Sequence, residues 1–114
     1  MSEIDPSQVT VVLTTVPDAQ TAESLAEQLL DERLVACANV VPGVRSIYRW
    51  EGETKHDAEV LVLLKTTTAS VPRLTERIAV LHPYDVPEVV ALPVTAGLDA
   101  YVAWVGDEVG GAHG

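Results

Sequence analysis

Few side chains in this sequence could carry metal chemistry, and two of them stand out. Cys37 is the only cysteine, and its thiolate would be a soft ligand for Cu(I) or zinc. His82 precedes Pro83, which restricts the backbone and could present an imidazole nitrogen to a metal or a carboxylate. We therefore predict Cys37, His82 and the nearby Glu88 as the candidate metal ligands.

Each of these residues also has a purely structural interpretation. Cys37 lies between two alanines in an apolar run, where a free thiol behaves as a small hydrophobic side chain. His82 follows a predicted helix and could bind the last carbonyl groups of that helix. As a ligand, His82 would need Asp85 or Glu88, from its own loop or from a neighbouring copy, to form a weak divalent-ion site. A single cysteine excludes the paired-cysteine patterns of zinc and iron–sulfur sites.

Polar-tipped aromatic and charged side chains accompany these residues. Tyr and Trp offer an apolar body with a polar handle, which suits the lining of a cleft. Lys65 ends an apolar run and could bind an anion. The alternative is packing at a subunit interface, with the lysine stem lying along apolar surface. The predicted lining of a ligand-binding cleft between subunits is Tyr48, Trp50, Lys65 and Tyr84, beside Glu88.

Composition and missing motifs exclude several classes of protein. The 114 residues carry 17 acidic and 7 basic side chains, and the net charge of −10 opposes binding to nucleic acid. No apolar run is long enough for a membrane span, and the polar first residues do not resemble a secretion signal. One cysteine fits a reducing compartment, so we predict a cytoplasmic protein. Without a nucleophile motif, a P-loop or a dinucleotide fingerprint, we predict that it is not an enzyme.

Periodic patterns predict the elements that position these residues. Strands are expected where β-branched residues run together or alternate, and helices where apolar residues recur at steps of three and four. Predicted strands cover 9–16, 35–50, 58–65 and 89–94. Two helices begin after Asp18 and Ser70, which could cap them, and a short third helix covers 98–105. Segment 51–57 is predicted as a polar turn.

The long strand 35–50 contains Pro42 and Gly43. Proline lacks the N–H that a central strand requires, so the pair indicates either a bulge or bend in one strand, or a tight turn. The order β-α-β-β-α-β predicts a ferredoxin-like α+β sandwich with a short C-terminal helix. Because strand 58–65 is apolar on both faces, further copies of the chain should cover part of the sheet. We expect a disordered N-terminus at 1–8, one domain at 9–105 and a flexible tail at 106–114.

Two segments resemble one protein family. LVACANVVPGVRSIYRWEGE, at 34–53, is similar to the segment LAACVN-x-x-PG-x-x-SIY-x-W-x-G of the CutA-type divalent-cation tolerance proteins. HPYDVPEVVALPV, at 82–94, is similar to the family's HPY-x-x-PE-x-x-x-x-P-[VI]. The opening VVLTTVPDAQTAESLA and the closing YVAWV also resemble the family, so the similarity covers about 9–105.

The resemblance implies a ferredoxin-like fold, a tight homotrimer with the general shape of PII signalling proteins, and no established reaction. It implies binding of copper or another divalent cation, with no tightly bound cofactor required, and a role in metal-ion tolerance. The alternative is a PII-like trimeric signalling module that binds a small molecule in the cleft between subunits. One position departs from the pattern: a copper-associated member has a cysteine in the first strand, where this chain has Thr14.

Overall fold

The computed structural model describes residues 5–110, which form a four-stranded antiparallel sheet and three helices. The elements are β1 (Val9–Val16), α1 (Ala19–Asp31), β2 (Cys37–Trp50), β3 (Glu53–Thr67), α2 (Val71–Leu81), β4 (Val90–Pro93) and α3 (Asp99–Glu108), with single 3-10 turns at Pro6–Gln8 and Thr68–Ser70. The strand order is β2-β3-β1-β4. This order and the βαββαβ sequence confirm the predicted ferredoxin-like fold. None of the helices within 5–110 is long and apolar enough to cross a membrane.

The two long helices pack on one face of the sheet. Asp18 caps α1, because its carboxylate accepts a hydrogen bond from the N–H of Thr21 at 2.8 Å. That bond lowers the pKa of Asp18. Ser70 does not cap α2, because its hydroxyl instead accepts a bond from Thr67 Oγ1 at 2.9 Å. The core between helices and sheet comprises Val12, Val16, Ala22, Leu25, Leu29, Leu34, Val35, Val60, Val62, Leu64, Leu74 and Ile78.

β2 and β3 extend together past the rest of the sheet as a two-stranded arm. We call residues 44–50 and 53–59 the hairpin arm. The predicted turn at 51–57 is wrong, since only Glu51 and Gly52 form the turn and 53–57 pair with β2. Both turn residues have positive φ, 52° and 80°, as a two-residue type I′ hairpin requires. Residues 53–57 are polar although they form a strand, because a two-stranded ribbon exposed to solvent does not need an apolar face.

A β-bulge joins the hairpin arm to the sheet. Val41 pairs with Leu61 and Val44 pairs with Glu59, so β2 holds one residue more than β3 across this step. Gly43 takes the left-handed conformation, φ +80°, that suits the bulge. Of the alternatives for Pro42–Gly43, the bulge in one long strand is correct. The extra residue reverses the alternation of side chains in the rest of β2.

The second face of the sheet is largely uncovered within one chain. We call its apolar residues the open sheet face: Val11, Leu13, Leu61, Leu63, Val90 and Leu92. Leu92 on the edge strand is 46% exposed. α3 covers only the end of the sheet, where Val102, Val105 and Val109 pack with Val9 and Ala36.

α3 extends beyond the predicted limit of the domain at 105. The helix continues to Glu108, Val109 is buried, and the N–H of Gly110 donates to the carbonyl of Arg33 at 2.7 Å. Residues 106–110 therefore belong to the folded unit. The remaining residues of the predicted tail, 111–114, and residues 1–4 of the predicted disordered N-terminus lie outside the described residues.

One core hydroxyl lacks a hydrogen-bond partner. Thr14 Oγ1 is buried on the helix-covered face without one among the described residues, whereas Thr66 Oγ1, on the same face, donates to the Leu34 carbonyl at 2.7 Å. Thr14→Val should raise the free energy of unfolding by about 1 kcal/mol, because it removes an unsatisfied buried hydroxyl. The matched Thr66→Val should lower it by about 1–2 kcal/mol, because the carbonyl loses its donor. Urea unfolding at one protein concentration measures both changes, and a destabilised Thr14→Val would contradict the expectation.

A bidentate ion pair joins the C-terminal end of α1 to α2. Arg77 Nε and a terminal nitrogen of its guanidinium each donate to one oxygen of Glu32 at 2.7 Å. The hydrogen bond from Arg77 lowers the pKa of Glu32 below its ordinary value. A lowered carboxyl pKa stabilises the folded state above the pKa of the unfolded chain, and that contribution is lost as the pH falls.

Glu32→Gln should therefore destabilise the protein at neutral pH, and the deficit relative to wild type should shrink below the ordinary glutamate pKa of 4.5. Urea unfolding of both proteins between pH 7 and about pH 3 measures it. Glu76→Gln is the matched control, because Glu76 is exposed on α2 and forms none of the ion pairs found among residues 5–110. A deficit that does not change with pH would show that the ion pair is not its source.

Candidate functional site

A cleft of about 630 Å³ lies between the hairpin arm and the loop that follows α2. Its volume falls within the ~300–1,000 Å³ range of small-molecule sites. Five residues singled out from the sequence line it, two from the arm and three from the loop: Tyr48, Trp50, Tyr84, Asp85 and Glu88. The bulge makes this possible, because β2 residues 46, 48 and 50 pair directly with Asp57, Lys55 and Glu53 and so share a face with the open side of the sheet.

His82 fastens the loop to the sheet. Its backbone N–H donates to the carbonyl of Ile78 at 2.8 Å, which ends α2. The ring Nδ1 accepts the N–H of Tyr84 at 3.1 Å, and Nε2 lies 2.7 Å from the carbonyl oxygen of Thr15. A neutral imidazole with its proton on Nε2 satisfies both bonds. Both ring nitrogens are therefore engaged, and His82 is only 7% exposed.

Tyr84 and Glu59 form a hydrogen-bonded pair in the cleft wall. The Tyr84 hydroxyl donates to Glu59 Oε2 at 2.7 Å. Burial, together with the Glu59 carboxylate, raises the pKa of Tyr84, so the hydroxyl stays protonated at neutral pH. Glu59 is 8% exposed, and its hydrogen-bond partner is this neutral hydroxyl rather than a cation.

A second tyrosine–carboxylate pair lies on the hairpin arm. The Tyr48 hydroxyl donates to Asp57 Oδ2, and this bond and partial burial raise the pKa of Tyr48. Trp50, near the tip of the arm, is 50% exposed. Arm and loop thus present aromatic side chains next to carboxylates.

The lining of the cleft is acidic and carries no Lys, Arg or His side chain. Its carboxylates are Asp57, Glu59, Asp85 and Glu88. The ion pairs among residues 5–110 lie elsewhere, at Arg33–Glu108, Lys55–Glu53 and Arg77–Glu32. Among the described residues no cationic side chain lines the cleft, so the arrangement would attract a cation.

Three of the predicted site residues do not line this cleft: His82, Cys37 and Lys65. Cys37 pairs with Lys65, whose Nζ is 3.9 Å from Cys37 Sγ and also donates to Asn39 Oδ1. Lys65 lies beside Val11, four residues along β1 from Thr15, a distance of about 13 Å at ~3.3 Å per residue. In a single chain, Cys37 and Lys65 therefore meet neither His82 nor the cleft. Among residues 5–110, no three His, Cys, Asp or Glu side chains are grouped to hold a metal ion.

Sequence reasoning missed two of the acidic residues. Glu59 and Asp57 were not singled out, because the polarity of 51–57 predicts a turn and strand 58–65 is largely apolar on both faces. A signal was present for Glu59: it is the only acid in the run AEVLVLLK, and a buried carboxylate needs a partner. That partner, Tyr84, lies 25 residues away and could not be identified from spacing.

Comparison with known proteins places this geometry in a family. The profile of the family described as CutA1 divalent ion tolerance protein matches residues 10–108. The Thermus thermophilus divalent-cation tolerance protein CutA is 52% identical over 100 residues, covering 88% of this chain and 97% of that protein. The chloroplastic protein CutA of Arabidopsis thaliana is 45% identical over 95 residues, covering 83% of this chain but only 52% of that protein.

A solved structure agrees with the sequence relatives. The divalent cation tolerance protein (Cut A1) from Thermus thermophilus superposes with a TM-score of 0.87 at 51% identity, over 90% of this chain and 99% of that one. The two Thermus thermophilus names refer to tolerance of divalent cations and to no reaction. The profile match and the extent of identity show that this chain belongs to the CutA1 divalent ion tolerance family.

Proposed function

We propose that this chain is a cytoplasmic homotrimer that binds copper or another divalent cation, contributes to metal-ion tolerance and catalyses no reaction. Membership of a divalent ion tolerance family supports the tolerance role. The observation that carries the binding is the cleft itself, whose lining among residues 5–110 holds Asp57, Glu59, Asp85 and Glu88 and no cationic side chain. Such carboxylates attract cations and supply oxygen ligands.

The metal ligands we propose are Glu88, with Asp85 beside it, and His82. Carboxylate and imidazole together suit a borderline ion such as Cu(II). His82 would join only when the bond from Tyr84 N–H to its Nδ1 opens, so the site would be weak. A neighbouring subunit would supply further ligands. Thr14 would not contact this site, because it is buried on the helix-covered face of the sheet, where it pairs with Val62.

Cys37 is proposed as a separate, softer site. Its thiol is partly exposed on the open side of the sheet, next to Lys65. A thiolate there would suit Cu(I), which prefers sulfur. With one thiol per chain, such a site would need cysteines of neighbouring subunits.

The open sheet face supports the trimer. Its six apolar side chains form one continuous patch across β3, β1 and β4, and both edge residues Val90 and Leu92 are close to half exposed, at 45% and 46%. A soluble protein rarely leaves such a patch in water. The hairpin arm adds the exposed Ile47, so neighbouring copies would gain apolar contact at both places.

A PII-like module that binds a small molecule is the second candidate function. The cleft has the volume of a small-molecule site and carries Tyr48, Trp50 and Tyr84, which a bare metal ion does not require. The two functions differ in what fills the same cleft.

Leu92→Glu should dissociate the assembly, because it introduces a charge into the open sheet face. Light scattering after size exclusion should report three chains for the wild type and one for this variant. Val80→Glu is the matched control, since Val80 is 71% exposed on the outer side of α2. A wild type that stays folded as a single chain at high dilution would contradict the trimer.

Glu88→Gln should weaken copper binding by about tenfold, because it removes a charged oxygen ligand. Calorimetric titration of the assembled protein with Cu(II) measures the affinity. Glu76→Gln, which also removes one exposed carboxylate per chain, should bind like the wild type. His82→Ala tests the imidazole: unchanged affinity would remove His82 from the site, and unchanged affinity in Glu88→Gln would remove the cleft.

A further inference from the structure

We infer that the cleft binds small organic cations, meaning an ammonium or guanidinium group carried on an apolar or aromatic body. This inference rests on the small-molecule function proposed for the cleft and names the chemical class of its ligand. It draws on the charge of the cleft, the nature of its walls and its size.

Charge selects a cation. Glu59 is buried to 8% exposure, yet its partner is the neutral hydroxyl of Tyr84. A buried carboxylate without a cation is unfavourable, and an incoming positive group would relieve it. Lys65 is the residue predicted from the sequence to bind an anion. It lies six residues from Glu59 along β3, a distance of about 20 Å at ~3.3 Å per residue. An anionic ligand would therefore meet four carboxylates and no cationic side chain in the described lining.

The walls select an organic cation over a metal ion. Tyr48, Trp50 and Tyr84 line the same cleft as the carboxylates. Aromatic faces attract weakly hydrated cations such as quaternary ammonium and guanidinium groups. A divalent metal ion gains its affinity from nitrogen, oxygen and sulfur ligands, and aromatic carbon supplies none. Three aromatic side chains in the lining are therefore explained by an organic cation and unexplained by a metal.

Hydrogen bonds preorganise the side chains that line the cleft. Tyr48 donates to Asp57 and Tyr84 donates to Glu59, so each ring is fixed next to a carboxylate. His82 fixes the backbone of Tyr84 through its Nδ1 and anchors the loop to Thr15. A ligand with a charged end and an apolar body would find both parts of its site formed before it binds, which limits the entropy lost on binding.

The cleft also has a size that suits such a ligand. At about 630 Å³ it is far larger than one metal ion and lies within the ~300–1,000 Å³ range of small-molecule sites. A positively charged side chain from a neighbouring copy could fill part of this space. Binding of a free cation by the assembled protein distinguishes the two occupants.

The test compares two probes of the same shape. Benzylammonium carries the charge, and benzyl alcohol is its neutral counterpart. Calorimetry on the assembled full chain should show benzylammonium binding at least about tenfold more tightly. The chain has two tryptophans, so Trp104→Phe leaves Trp50 as the only indole, and its emission should change on addition of benzylammonium.

Two variants test where benzylammonium binds, and a third variant is the control. Glu59→Gln should weaken benzylammonium by about tenfold and leave benzyl alcohol unchanged. Trp50→Leu keeps an apolar side chain at an exposed position, removes the ring and should weaken benzylammonium several-fold. Glu76→Gln should change nothing. Because Trp50 is half exposed, Trp50→Leu should fold normally and still test the inference if Glu59→Gln folds poorly.

The outcomes separate this inference from the functions on which it rests. Equal binding of both probes would overturn the cationic class and leave a small-molecule cleft. Binding of neither probe, with Cu(II) bound through Glu88, would overturn this inference and the small-molecule function together. Tight benzylammonium binding without any Cu(II) binding would support the inference and overturn the metal function.

Discussion

Side chains in a strand alternate between two faces, so one inserted residue decides which of them can meet. In this chain the inserted residue lies at Pro42–Gly43, between the paired residues Val41 and Val44. Past it, Ser46, Tyr48 and Trp50 turn to the side on which the loop after α2 arrives. Without the bulge those side chains would point to the other side of the ribbon, and the cleft would lose one wall. The geometry of the site depends on this one position.

The other wall depends on a histidine whose two ring nitrogens are both hydrogen-bonded within the chain. His82 receives the N–H of Tyr84 and binds the carbonyl of Thr15, so helix end, loop and first strand are held together. Pro83 restricts the backbone immediately after it. A residue type that suggests metal binding in a sequence is here a structural fastener in the single chain. Its ring is also the reason that Tyr84 reaches Glu59.

The fold was predictable because its signals are local. The β-branched run of β1, the Asp18 cap and the apolar periodicity of α2 each fix an element from a few adjacent residues. The extent of β3 was not predictable in the same way, because residues 53–57 form a strand only through pairing with residues 46–50. The aromatic residues of the cleft were predictable from their residue type. The position of Lys65 was not, because it depends on the pairing register of β3 with β1 and β2. Glu59 was not predicted as a site residue, because its hydrogen-bond partner Tyr84 lies on a loop that is distant in sequence.

The hairpin arm has a consequence for how the subunit behaves on its own. Its two strands pair only with each other, and a lone two-stranded ribbon is of marginal stability in water. An isolated subunit would therefore exchange the amide hydrogens of the arm quickly, while those of β1, paired on both sides, would exchange slowly. The same segment would be the first that a protease could cut. Contact with neighbouring subunits would protect the arm. Because assembly depends on protein concentration, the fraction of chains with an ordered cleft would rise with concentration.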